Sequence, residues 1–282
     1  MRLNSPSSAV VLLGIAVLAA IRGFGGAVKG QDSPRADHGK AVARPLETEK
    51  EISFDLGRGV KLDLVLIRPG SFMMGDEKGD DDEKPVHKVT ISKPFYLGKF
   101  EVTQEQWQCV MGSNPSHFRG AKNPVDRVSW EACQAFIKKL NAKFAHAQVT
   151  FGLPTEAEWE YACRAGPTSR YGFGDRESKL AEYGWFENNA GGTTHPVGQK
   201  KPNAWGLYDM HGNVWEWCDD WYDGDYYKKS PAIDPTGPTA VTSRVLRGGS
   251  WSDPAPYCRS SYRYCLPPWF CVCCYGVRVM CR

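Results

Sequence analysis

The chain has 282 residues and a net charge of +3. That length holds one domain with a sizeable core, and a charge this close to neutral, without a basic stripe, excludes nucleic acid as the partner. Ten cysteines, none before Cys109 and six of them from Cys258 onward, allow disulfides if the chain is exported.

Arg2, the apolar run 9–21 and the small residues Gly25, Gly26 and Ala27 mark residues 1–27 as an export signal, so the protein is expected to be secreted or periplasmic. The run falls short of the ~20 apolar residues of a membrane span, and a retained N-terminal anchor is the alternative. Loss of Arg2 and Arg22 takes the charge from +3 to +1. Residues 28–50 are polar, contain Pro34 and Pro45, lack aromatic side chains, and read as a linker. Residues 51–282 read as a single domain.

Residues 61–67 alternate in polarity as a strand does, and Pro69-Gly70 turns the chain so that 71–74 returns as its partner. Segments 86–92 and 95–100 form a second strand pair. The acidic run 76–83 between the two pairs reads as a solvated loop, without the ligand spacing of an EF-hand. Thr103 with Gln106 and Thr155 with Glu158 are capping boxes that start two helices. Ser129 caps a third, running to about Phe144, with Cys133, Phe136, Ile137 and Leu140 on one face. The Thr155 helix covers about 156–165 and buries Trp159 together with Tyr161 or Ala162. Beyond Gly166 regular periodicity is lost, and a long aperiodic stretch in a compact domain needs aromatic packing, backbone capping or bound cations to hold it. Within it, 203–217 is too broken by glycine for a helix and does not alternate as a strand, so it reads as a folded loop core.

From about Val60 to Val279 the chain resembles the sulfatase-modifying-factor family, whose founding activity is formylglycine generation. The likeness rests on Pro69-Gly-Ser-Phe-Met-Met-Gly75, Pro85-Val-His87, Glu101-Val-Thr-Gln104, Pro124-Val125 with Val128-Ser-Trp130, and Leu153-Pro-Thr-Glu-Ala-Glu-Trp-Glu-Tyr161. It continues through Trp205-Gly-Leu-Tyr208, Gly212-Asn-Val-Trp-Glu-Trp217 and Arg247-Gly-Gly-Ser250. The resemblance implies an α+β domain of low regularity related to C-type lectins. It also implies structural calcium, with side-chain oxygens from Asp209 and Glu216 and backbone carbonyls from Gly212 and Val214. Hard oxygen donors in a compact loop suit that ion. A second family calcium site would fall near 183–189, where the ligand pattern is not clear.

The founding enzymes convert a sulfatase cysteine to formylglycine using oxygen and a copper ion gripped by two thiolates, the donors that select Cu(I). Cys258 matches the second thiolate. Asp253 stands where the first would be, Pro254 where active enzymes have a histidine, and Cys274 where they have a pocket asparagine. A thiol pair rebuilt from Cys258 and Cys274 is a second possibility. Trp215, Ser250 and Tyr257 match residues lining the peptide groove. The resemblance therefore implies an exported protein that holds a peptide or protein ligand, a sulfatase being one candidate, with part of the copper site missing. The alternative is a working formylglycine-generating oxidase. Cys163 matches a family cysteine that can bridge to the final strand, where Cys281 is the candidate partner. His211, inside the loop core, is expected to be a structural hydrogen-bonding residue. Zinc is disfavoured, because Cys271, Cys273 and Cys274 lack paired C-x-x-C spacing.

Overall fold

A computed structural model describes residues 49–282. The signal segment 1–27 and nearly all of the linker lie outside those residues. In chain order the elements are β1 (Glu51–Gly57), β2 (Val60–Ile67), β3 (Gly70–Met74), β4 (His87–Ile91), β5 (Phe95–Gly98), α1 (Gln104–Met111) and α2 (Trp130–Lys143). Next come β6 (Phe151–Gly152), α3 (Glu156–Arg164) and the short helices α4 (Leu180–Tyr183) and α5 (Glu187–Ala190). Strands β7 (Trp215–Trp221), β8 (Arg244–Arg247), β9 (Tyr264–Leu266), β10 (Tyr275–Gly276) and β11 (Met280–Cys281) complete the fold. No helix among the described residues is long and apolar enough to cross a membrane.

The three longer helices start where the local chemistry dictates. The hydroxyls of Thr103, Ser129 and Thr155 each accept from the backbone N–H three residues on, and Gln106 and Glu158 reach back to close two capping boxes. Cys133, Phe136, Ile137 and Leu140 form the buried stripe of α2. Every residue of α3 is buried, because strands and loops enclose it on all sides.

Strand pairing departs from the sequence expectation. A five-stranded sheet runs β1-β2-β5-β11-β6, a four-stranded sheet runs β10-β7-β8-β9, and β3 pairs with β4 alone. Residues 71–74 therefore do not fold back on β2, and 86–92 does not pair with 95–100. At the departure point Gly70 lies so close to the Tyr161 hydroxyl of α3 that a β-carbon would overlap that oxygen. Leu97 and Tyr96 pair with β11, from the far end of the sequence. The end of the 203–217 stretch is also not loop: Trp215 opens β7, which is bonded to β8 on one side and parallel β10 on the other. A strand covered on both faces loses its alternation, and Trp215–Cys218 are all buried.

At the open edge of the first sheet, the Asn141 side chain donates to the Phe151 carbonyl (3.0 Å) and accepts from its N–H (2.7 Å). One amide thus stands in for the missing neighbour strand. The acidic run is also not simply solvated. Glu83 is fully buried, and Arg259 grips its two oxygens at 2.7 and 2.6 Å.

Candidate functional site

The 209–216 loop is pinned from three sides. Asn213, in the left-handed region at φ 67°, donates its N–H to the Trp185 carbonyl (2.7 Å), and its own carbonyl accepts from Trp251 (2.9 Å). Its side chain bonds His195 and Glu101. Gly212, at φ 137°, lies so close to the Trp185 carbonyl that any β-carbon would overlap it. The loop then enters β7, which sets Trp215 and Glu216 in register with Tyr275 and Gly276 of β10.

Of the residues expected to hold calcium, Asp209 and Glu216 share one buried cluster with Glu101 and Arg278. Glu216 accepts from Arg278 at 2.6–3.0 Å and from Trp159 Nε1 at 2.6 Å. Asp209 Oδ2 accepts from Gly198 N–H (2.7 Å), while Asp209 Oδ1 is buried with no partner among the described residues. Burial lifts the Asp209 pKa to about 6. Burial, then repulsion from Asp209 and Glu216, lifts that of Glu101 well above the carboxylate range. Arg278 faces all three carboxylates, Lys200 acts on Asp209 as well, and Asp209 Oδ1 is left unpaired. Asp209 Oδ1 is a free hard oxygen of the kind a divalent cation uses, whereas both oxygens of Glu216 already accept from Arg278 or Trp159. Glu101 was identifiable in the sequence only as part of a family motif. Its role follows from contacts across more than a hundred residues.

The expected groove residues also come together. Trp215 Nε1 donates to Asp253 Oδ2 (2.9 Å), and the Ser250 hydroxyl donates to the same oxygen. Trp215 lies 5.2 Å from the Tyr264 ring and 6.0 Å from Tyr262, which packs 4.7 Å from Tyr257. Tyr257 and Tyr264 are exposed, whereas Ser250 and Cys258 are fully buried. Cys274 sits half-buried beside this network, and its carbonyl accepts from the Trp215 N–H (2.8 Å). The contacts join a buried polar pair, Ser250 and Trp215, to an aromatic cluster whose Tyr257 and Tyr264 reach the surface.

Burial, then the charge of Asp253, raises the Cys258 pKa well above its ordinary value, and the same two causes push Cys274 up to about 12. The Asp253 carboxylate, a hard donor, is already bonded to Trp215 and Ser250. A carboxylate at 253 does not supply the soft donor that the first thiolate of a copper site provides. All ten cysteines are free thiols, so Cys163 and Cys281 are not bridged. Cys163 Sγ instead lies 3.8 Å from His211 Nε2 and 3.6 Å from the Met210 carbonyl.

His211 is structural. Its Nε2 accepts from Gly172 N–H (3.1 Å), which leaves Nδ1 protonated to donate to the Cys258 carbonyl (2.8 Å). Burial depresses its pKa from 6.5 to about 4. The unfolded chain therefore takes up this proton first as the pH falls, and stability is lost between those two values. For a fully buried ring the loss is about 3 kcal/mol. His211→Gln should remove that part of the acid sensitivity, measured as the wild-type-minus-variant difference in urea stability at pH 7 and pH 4. An unchanged difference would show that His211 does not titrate this way.

A family model described as the sulfatase-modifying factor enzyme 1-like domain matches residues 57–282. The chain is 37% identical over 278 residues to a formylglycine-generating enzyme of Thermomonospora curvata, covering 73% of this chain and 88% of that one. It is 34% identical over 236 residues to the chaperone protein LppX of Paenibacillus barcinonensis, covering 67% and 78%. Among solved structures it is similar to Treponema denticola variable protein 1, with TM-score 0.76 and 33% identity over 83% of this chain and 100% of that one. The names of these relatives differ in activity, so the shared domain fixes ancestry rather than chemistry. The chain belongs to the sulfatase-modifying factor enzyme 1-like family.

Proposed function

We propose that this is an exported member of the family that holds a peptide or protein segment in a calcium-braced groove without oxidising it. The observation that carries this reading is Asp253. A carboxylate stands where the founding enzymes have their first copper thiolate, and it is tied to Trp215 and Ser250 rather than free to bind a metal. Trp215, Ser250, Tyr257 and Cys274 would form the groove, with Cys258 buried below. Calcium would be held by Asp209 and Glu216 side chains and by the Gly212 and Val214 carbonyls. Its chemistry there is structural: a divalent charge balancing buried carboxylates. The orphaned Asp209 Oδ1 supports this.

The alternative is a formylglycine-generating oxidase acting on a sulfatase cysteine, favoured by the retained Cys258 and by relatives bearing that name. One assay separates the two readings. Folded, calcium-loaded protein is given Cu(I), oxygen and a Cys-Thr-Pro-Ser-Arg peptide, and the peptide is weighed by mass spectrometry. The expected result is an unchanged peptide mass. A loss corresponding to formylglycine would establish the oxidase.

A further inference from the structure

We infer that Asp253 receives a lysine side chain of the polypeptide held in the groove. Its open carboxylate oxygen pairs with the ammonium, and the neighbouring aromatic rings cover the hydrocarbon stem. The inference rests on the groove reading above and names the side chain that the site selects.

Asp253 is half-buried, and its chain neighbours Ser252 and Pro254 are exposed. Its two oxygens are used unequally. Oδ2 accepts from Trp215 Nε1 (2.9 Å) and from the Ser250 hydroxyl, and these two donors fix the plane of the group. Oδ1 accepts from none of the described residues and, unlike Asp209 Oδ1, is not sealed from solvent. Among the described residues no cationic side chain pairs with Asp253. The charge that acts on it, Glu187, has the same sign and is exposed. A carboxylate drawn out of water without a counter-ion is costly, and a cation brought by a ligand relieves that cost.

The surroundings select the kind of cation. Trp215, which holds Oδ2, lies 5.2 Å from the Tyr264 ring and 6.0 Å from Tyr262, and Tyr262 packs 4.7 Å from Tyr257. Tyr257 and Tyr264 carry this run of rings to the surface. Ring faces attract a cation and also cover an alkyl stem, which together describe a lysine side chain. Arg259 lies 5.5 Å from the Tyr262 ring but is already paired with Glu83, so it does not fill the site. A single open oxygen meets an ammonium, a point donor, more fully than the two-pronged guanidinium, which needs two acceptors side by side. One oxygen is also too few donors for a hard metal ion.

The test offers immobilised full-length chain three pools of acetylated, amidated hexapeptides. The third residue is Lys, norleucine or Glu, the other positions are drawn from uncharged residues, and retained peptide is quantified by mass spectrometry. The Lys pool should be retained about tenfold or more over the norleucine pool, the strength expected of a hydrogen bond to a charged group, and the Glu pool least. Asp253→Asn keeps an oxygen for Trp215 and Ser250 and should abolish the Lys excess. Equal retention of the Lys and norleucine pools by the wild type would overturn the inference and leave the groove reading standing. So would a Lys excess that survives in Asp253→Asn. If Asp253→Asn does not fold, Tyr257→Leu, at an exposed position, decides. The Lys excess should then fall about two- to fivefold, and an undiminished excess would overturn the inference. Retention of no pool above an empty matrix would instead remove the groove reading, and the inference with it, so the two failures are told apart.

Discussion

Glu216→Ala is expected to lose about 3–5 kcal/mol of folding stability, the usual cost of removing one partner of a buried ion pair. Glu216 and Arg278 are both essentially sealed from solvent, and the carboxylate accepts from three nitrogens, two on Arg278 and the indole of Trp159. Alanine leaves a guanidinium and an indole N–H facing a void. Glu101 and Asp209 remain near the guanidinium and offset part of the loss, so the lower end of the range is the firmer expectation. The second consequence is specific to the cation. The variant should melt at the same temperature with calcium or with chelator, whereas the wild type should melt higher with calcium. Denaturant unfolding in both buffers measures both effects. A variant that is destabilised but still responds to calcium would separate Glu216 from the cation site and leave it as an ion-pair residue only.

Gly212→Ala should be comparably severe for a different reason. A methyl group there would overlap the Trp185 carbonyl, and φ 137° is a conformation that residues with side chains rarely adopt. Relief would require moving Trp185, whose carbonyl accepts the Asn213 N–H at 2.7 Å. Backbone strain and that lost bond together give about 3 kcal/mol or more. Gly174→Ala is the control. Its φ is similar, 120°, but nothing lies within 4 Å of the added carbon. Only the conformational cost, about 1–2 kcal/mol, should appear there. Equal losses at the two positions, measured by urea midpoint, would show that the loop yields around Trp185 more easily than its packing suggests.

What could be read from the sequence was local. The caps at Thr103, Ser129 and Thr155 act over three residues, and each is where the residue types placed it. The core face of α2 followed from its period. Strand existence near 61–67 and 87–91 was also legible, but strand pairing was not. Ser71 meets Thr90 rather than β2, and the neighbouring Gly70 packs on the Tyr161 hydroxyl of a helix far along the chain, which no local pattern reports. Strand β7 was hidden because burial on both faces erases alternation. At the site, motif likeness located Trp215, Ser250 and Asp253, and the structure adds that one carboxylate oxygen of Asp253 ties the other two together. The charge balance around Asp209 was out of reach. Its components come from positions 101, 209, 216 and 278, and no local pattern announces that Glu101 and Arg278 will meet.

Strand β11, at residues 280 and 281, lies between β5 and β6 and bonds to both. During synthesis the ribosome must release nearly the whole domain before those two strands acquire their common neighbour. Until then β5 and β6 have nothing between them, and the apolar side chains of Tyr96, Leu97 and Phe151 lack part of their covering. A nascent chain stalled before residue 280 should be a substrate for holding chaperones and proteases, while a chain that includes β11 closes the sheet.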